Sequence, residues 1–109
     1  MPAAETPHAD LQSIADVDRL VHEPARLMIL AVLYVVESAD FVFLMRQTGL
    51  TKGNLSSHMA RLEASGYIEI VKEFVDKIPR TVLRLTDKGR EAFQTYRRGM
   101  IQVLENLVD

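Results

Sequence analysis

Lys52, Asn54, Ser56, Ser57 and Arg61 fall within one short stretch of the chain. All five donate hydrogen bonds, and two of them are cationic. Such a set suits phosphate oxygens and the edges of bases, with Lys52 and Asn54 able to reach guanine or adenine. The two serines are better suited to positioning on phosphate than to specifying a base. Leu55, Met59 and Leu62 recur between them at i, i+4, i+7, which predicts a helix with one buried face. The donors then share the opposite face with Gly53 and Ala60, whose small size permits close approach. An ordinary solvated helix face is the alternative to weigh. Lys77 and Arg80 add a second cationic group further on, suited to a phosphate backbone. The other way to satisfy Arg80 is a cross-strand pairing with Glu73 or Glu69. Arg97 and Arg98 read as a solvated face.

Other chemistries find little support. His58 adjoins Ser57, but neighbours on a helix point about 100° apart, so they form no nucleophile pair. His58 reads instead as a packed or solvent-edge histidine. His8, His22 and His58 include no i, i+4 pair, which argues against a metal site. No glycine-rich phosphate loop or nucleophile motif appears, and no carboxylate pair lies in an apolar context. The sequence predicts neither an enzyme nor a cofactor.

The donor helix needs a scaffold, and residues 43–66 supply one. Gly49 sits where the chain must turn, and glycine tolerates positive φ there. Thr51 stands at an N-cap position, and Gly66 closes the helix as a C′ glycine. The pattern is a helix-turn-helix whose second helix is the reader. Helical hairpins are common, so the following residues matter more. Residues 67–74 predict a strand, 75–79 a polar break with a proline, and 80–85 a second strand. Two strands directly after a reading helix make a β-hairpin wing, with Lys77 and Arg80 at its loop.

Residues 1–9 read as a frayed tail. Ser13 and Asp16 make a capping-box-like start to a short helix striped by Leu11, Ile14, Val17 and Val21. His22-Glu23-Pro24 breaks it, and Pro24 suits the first position of the next helix. That helix, residues 24–38, is apolar nearly all round, as expected of one central to the core or shared with a partner. Ala39-Asp40 ends it, and residues 41–43 suggest a short third strand. Thr86-Asp87 begins a final helix to about Leu107, with a threonine cap and an acid at the positive end of the dipole. Phe93, Tyr96, Met100, Val103 and Leu107 stripe it, with Leu104 beside them. One core of this size is not expected to cover both terminal stripes. The sequence therefore predicts a two-fold homodimer joined through Leu11, Ile14, Val17, Val21, Phe93, Tyr96, Met100, Val103, Leu104 and Leu107.

At 109 residues the chain suits a single domain, residues 1–109, with 86–109 as a dimerisation helix. It is 48% hydrophobic and 26% charged, an ordinary globular balance that argues against wholesale disorder. It has no cysteine, which excludes disulfides and thiolate zinc sites and fits a reducing cytoplasm. The N-terminus lacks the basic start and apolar run of a signal peptide. The most apolar run, residues 27–36, falls short of the roughly 20 residues needed to span a bilayer. The expectation is a soluble cytoplasmic protein with no membrane partner. The net charge is −2, but its distribution is uneven: −5 over residues 1–40, +1 over 41–71, +4 over 72–98 and −2 over 99–109. The positive charge lies on the hairpin and the start of the last helix, beside the reader.

The segments HEPARLMIL (22–30), LTKGNLSSHMARLEASGYIEI (50–70) and RTVLRLTDKGREAF (80–93) together resemble the winged-helix transcriptional regulators, closest to the small MarR/ArsR-like branch. The resemblance implies a mainly α fold with a small β-hairpin (α+β), a winged helix-turn-helix with N- and C-terminal dimerisation helices. It implies a reader in the major groove, a wing on the backbone or in the minor groove, and paired readers on a palindromic operator in double-stranded DNA. By position, Lys52, Asn54, Ser56 and Ser57 become base readers, with Thr51 beside them and Arg61 nearer the backbone. Lys77, Arg80 and Thr81 take the wing role. Relatives often take a small-molecule effector between the terminal helices and the reader, so an effector of unidentified chemistry is compatible with the resemblance. No acidic or cysteine cluster matches the metal- or thiol-sensing relatives, and neither role carries over. The wing is less basic than many, because Asp76 adjoins Lys77. Two alternatives stay open: a winged-helix protein–protein interaction module without DNA binding, and a subunit of a larger transcription or chromosome-maintenance assembly.

Overall fold

Leu30, Leu33, Leu44, Leu55, Leu62 and Leu83 have no exposed surface, and helices and strands are arranged around them. The computed structural model describes residues 12–107. The expected tail, residues 1–9, and the interface candidate Leu11 lie outside the described residues. The order is α1 (Gln12–Ala15), α2 (Pro24–Val36), β1 (Ser38–Asp40), α3 (Phe41–Thr48), α4 (Lys52–Ala64), β2 (Ile68–Val75), β3 (Ile78–Leu85) and α5 (Asp87–Glu105). The strands form one antiparallel sheet in the order β1-β3-β2. This is an α+β winged helix, as expected.

The α3–α4 hairpin forms because its turn chemistry agrees with its apolar spacing. Gly49 adopts φ 72° and caps α3 through its amide on the Met45 carbonyl. The Thr51 hydroxyl accepts the Asn54 amide at 3.2 Å, satisfying a free donor at the start of α4. Leu55, Met59 and Leu62 are the buried residues of α4. At its end the amides of Gly66 and Tyr67 reach back to the carbonyls of Glu63 and Leu62, a Schellman closure with Gly66 at φ 83°.

Several boundaries differ from the expectation, each for a local reason. Residues 41–43 are not a strand; β1 lies just before them, and they open α3. The Asp40 carboxylate accepts the Phe43 amide at 2.7 Å, so the chain turns helical at Phe41 despite its β-prone residues. The helix starting at Pro24 stops at Val36, where Glu37 takes φ 69°. The stripe from Leu11 to Val21 is not one helix. After Ala15 the Asp18 carboxylate accepts the amides of Leu20 and Val21, which offers the backbone an alternative to helical pairing. Ser13 does not precede the helix, because α1 already includes Gln12. In the wing, the break at 75–79 shrinks to Asp76-Lys77, both at positive φ, as a two-residue hairpin turn requires. Pro79 sits within β3 opposite Phe74, beyond the stretch paired with β1, so on that side it has no ladder bond to lose. The last helix ends at Glu105, which leaves Leu107 beyond it.

The root of the wing is fastened to α5. The Thr86 hydroxyl donates to the Gly66 carbonyl at 2.6 Å and accepts the Gly89 amide at 3.0 Å, while the Thr86 amide donates to the Tyr67 carbonyl at 3.1 Å. Gly89 is the glycine this closeness demands, for a Cβ there would lie 2.1 Å from the Tyr67 carbonyl oxygen. Tyr67 in turn donates its hydroxyl to the Asp18 carboxylate, tying the segment after α1 to the start of β2. Burial, then the hydrogen bond to Asp18 and its charge, push the Tyr67 phenol up to about 12.

Candidate nucleic-acid interface

α4 buries one face and leaves Lys52, Gly53, Asn54, Ser56, Ser57, Ala60 and Arg61 exposed on the others. Thr51 is also exposed, but its hydroxyl is occupied as the N-cap. The donors therefore lie where the periodicity put them. Glu63 was not among the candidates and is exposed on the same helix. Its position is readable from the sequence, four residues after Met59, but an acid carries no phosphate-binding signal.

The wing projects beside this helix. Residues 71–80 are all exposed. A cleft of about 850 Å³ separates the two, lined from α4 by Lys52, Ser56, Met59, Ala60 and Glu63, and from the hairpin by residues that include Ile70, Lys72, Ile78, Arg80 and Thr81. The fold thus brings together Lys52, Ser56, Arg80 and Thr81. Lys77 stands apart in the turn, and Asn54, Ser57 and Arg61 do not line the cleft. Lys72 is a cation that sequence reading passed over; its register opposite Thr81 brings it to the cleft.

Arg80 pairs with neither Glu73 nor Glu69. It lies opposite Glu73 in the strand register, yet its guanidinium donates to the Asp40 carboxylate at 3.1 Å. Asp40 sits opposite Val82, two residues along β3, so the pair is a diagonal one across neighbouring strands. The wing tip is unexpectedly apolar: Phe74 is 74% exposed and Ile78 66%. The sequence marks Phe74 as the end of a strand but places Ile78 in the break, and it does not say that the strands outrun the core.

The terminal candidates divide. Val21, Phe93 and Val103 are buried in this chain, so their side chains are spent within the fold. Val17, Tyr96 and Met100 are half-buried, while Ile14, Leu104 and Leu107 are exposed. Ile101, not among the candidates, is exposed as well and precedes Leu104 by three residues, on the same side of α5. Among the described residues no helix is long and apolar enough to cross a membrane.

The comparisons agree with this geometry. The family described as winged helix DNA-binding domain matches residues 25–106. An uncharacterized protein of Methanocaldococcus jannaschii is 34% identical over 89 residues, covering 82% of this chain and 97% of its own length. The structure of a transcriptional regulator homologue from Pyrococcus horikoshii superposes with a TM-score of 0.81 at 32% identity, covering 87% of this chain and 93% of that one. A MarR-family transcriptional regulator from Silicibacter pomeroyi shares the fold, with a TM-score of 0.63 at 21% identity over 80% of this chain and 57% of that one. The helix-turn-helix, its wing and these matches point the same way: the chain belongs to the winged helix DNA-binding domain family.

Proposed function

We propose that the protein is a cytoplasmic, sequence-reading transcriptional regulator that binds double-stranded DNA as a homodimer. α4 enters the major groove, and the wing follows the backbone or the minor groove. Two readers about 34 Å apart meet successive major grooves of a palindromic site. The observation that carries the reading is the exposed donor face of α4 standing next to a projecting hairpin. Asn54 and Lys52 supply sequence preference, with Thr51 at the helix entry. Ser56, Ser57, Arg61, Lys77, Arg80 and Thr81 supply phosphate contacts and salt-dependent affinity. Ile14, Ile101, Leu104 and Leu107 supply an exposed apolar surface at the terminal helices for an isologous contact.

A salt titration tests this reading, using random duplex and DNA from upstream of the protein's own gene. Tighter binding to the upstream DNA, falling steeply with salt, is the expected result. No binding at low salt from a folded dimer would defeat it. The apolar wing tip at Phe74 and Ile78 favours a second reading, a winged-helix module that binds protein. In that case the chain would pass through heparin without retention, and DNA would not compete with the partner.

A further inference from the structure

Arg26 is a charged side chain buried in the core, only 7% exposed. A buried guanidinium ordinarily meets a carboxylate. Here its Nε donates to the Leu20 carbonyl at 2.6 Å and one terminal nitrogen to the Arg19 carbonyl at 3.4 Å. The other terminal nitrogen lies 3.1 Å from His58 Nδ1. Arginine has no acceptor and does not give up its proton, so in this bond Nδ1 is the acceptor and the ring hydrogen sits on Nε2. The neighbouring Glu23 carboxylate caps α2 by accepting the Arg26 amide at 2.8 Å. It also stands 4.0 Å from His58 Nδ1. Burial works to raise the Glu23 pKa, but the Arg26 amide and the Arg26 charge act against it and hold the carboxylate below its usual range, and a proton on His58 would lower it further.

His58 lies on the reading helix, next to Ser57 and one turn from Asn54. Arg19 and Leu20 lie on the connector between α1 and α2. We propose that His58 is a proton-sensitive positioning residue, its neutral Nδ1 holding the reading helix to this connector through Arg26. This regulation of the reader rests on the DNA-reading function proposed above. A proton on Nδ1 puts donor against donor and a second cation beside the guanidinium. The ring then turns to the Glu23 carboxylate at the end of the connector, and the tie from the reader through Arg26 to the Leu20 and Arg19 carbonyls is lost. Among the described residues the charged groups facing the ring are Arg26 and Glu23, with Arg61 one turn further along α4. Protonating a histidine near DNA ordinarily strengthens binding by adding positive charge. Loss of affinity towards acid is the opposite sign, and so diagnostic.

The test measures the full chain's affinity for duplex DNA at constant ionic strength from pH 8 to pH 5. Wild type should lose about tenfold, the worth of one hydrogen bond to a charged group. His58→Asn offers Oδ1 where Nδ1 stood and takes up no proton, so its profile should be flat. His22→Gln, which removes the histidine beside Tyr96, should follow wild type. A His58→Asn profile that tracks wild type, or wild-type binding that tightens towards acid, overturns the inference. ¹⁵N NMR of the DNA-free protein separates this failure from failure of the DNA reading. An Nε2-protonated His58 at pH 8, with α4 amides that shift as it titrates, sustains the link even if no duplex binds. An Nδ1-protonated ring, or α4 amides indifferent to its titration, overturns it.

Discussion

The Arg80 guanidinium in the wing lies 3.1 Å from the carboxylate of Asp40, the residue that caps α3. A side chain suited to phosphate is thus held by an acid on the neighbouring strand. The pair is open to solvent on the Arg80 side and half-buried at Asp40, so the carboxylate acts as a weak competitor for Arg80 more than as a structural clamp. Arg80→Ala should weaken binding to all duplexes alike and lower the salt slope by about one unit. Asp40→Asn keeps a capping side chain but frees the arginine, so it should tighten binding and steepen the slope. Equilibrium titrations at several salt concentrations read both. Equal slopes in all three proteins would remove Arg80 from the interface.

Asn54 is exposed on α4, and only its backbone amide is used by the Thr51 cap. Asn54→Ala should cost about 1–3 kcal/mol on the preferred site and little on random duplex. Competition binding against a library of single-base variants checks this. A uniform loss across the library would make Asn54 a backbone contact.

Leu104 is 58% exposed and Ile101 40%, on a helix whose other apolar residues face inward. Leu104→Glu should leave the fold intact and convert a dimer to a monomer. Sedimentation at micromolar concentration, with circular dichroism as the check on folding, measures both. A wild-type monomer at that concentration would reassign this surface.

Gly89→Ala should be severely destabilising, because the added Cβ would meet the Tyr67 carbonyl at 2.1 Å and backbone cannot rotate aside. The overpacking cost is about 1–3 kcal/mol or more. Thermal melts should show a lowered midpoint, whereas Gly99→Ala, with open space around its Cβ, should melt at or above wild type.

Tyr67 adds an alkaline limit. Its phenol stands above the ordinary 10.0, at about 12, through burial and the Asp18 carboxylate. A raised folded-state pKa means that the neutral form is stabilised. That contribution is fully present below pH 10 and is lost as pH rises through about 12. Phenolate absorbance should show a step near 12, and Tyr67→Phe should abolish that step.

The sequence by itself determined the helix-turn-helix. Gly49, Thr51, Gly66 and the Leu55, Met59, Leu62 spacing act within a few residues of one another, so local turn and capping chemistry is enough to specify a helix-turn-helix with an exposed donor face. The hairpin after Gly66 was equally legible from strand-forming runs around a break, and Thr86 from its place before an acid-led helix. Tertiary structure alone decided which terminal apolar residues are spent inside the domain. Phe93 and Leu104 both belong to one amphipathic helix, and only its packing angle buries the first and leaves the second exposed. It also decided the partners of Arg80 and Arg26, Asp40 and His58, which lie 40 and 32 residues away in the chain. Pairings at that separation depend on how strands and helices meet, and no local spacing encodes them.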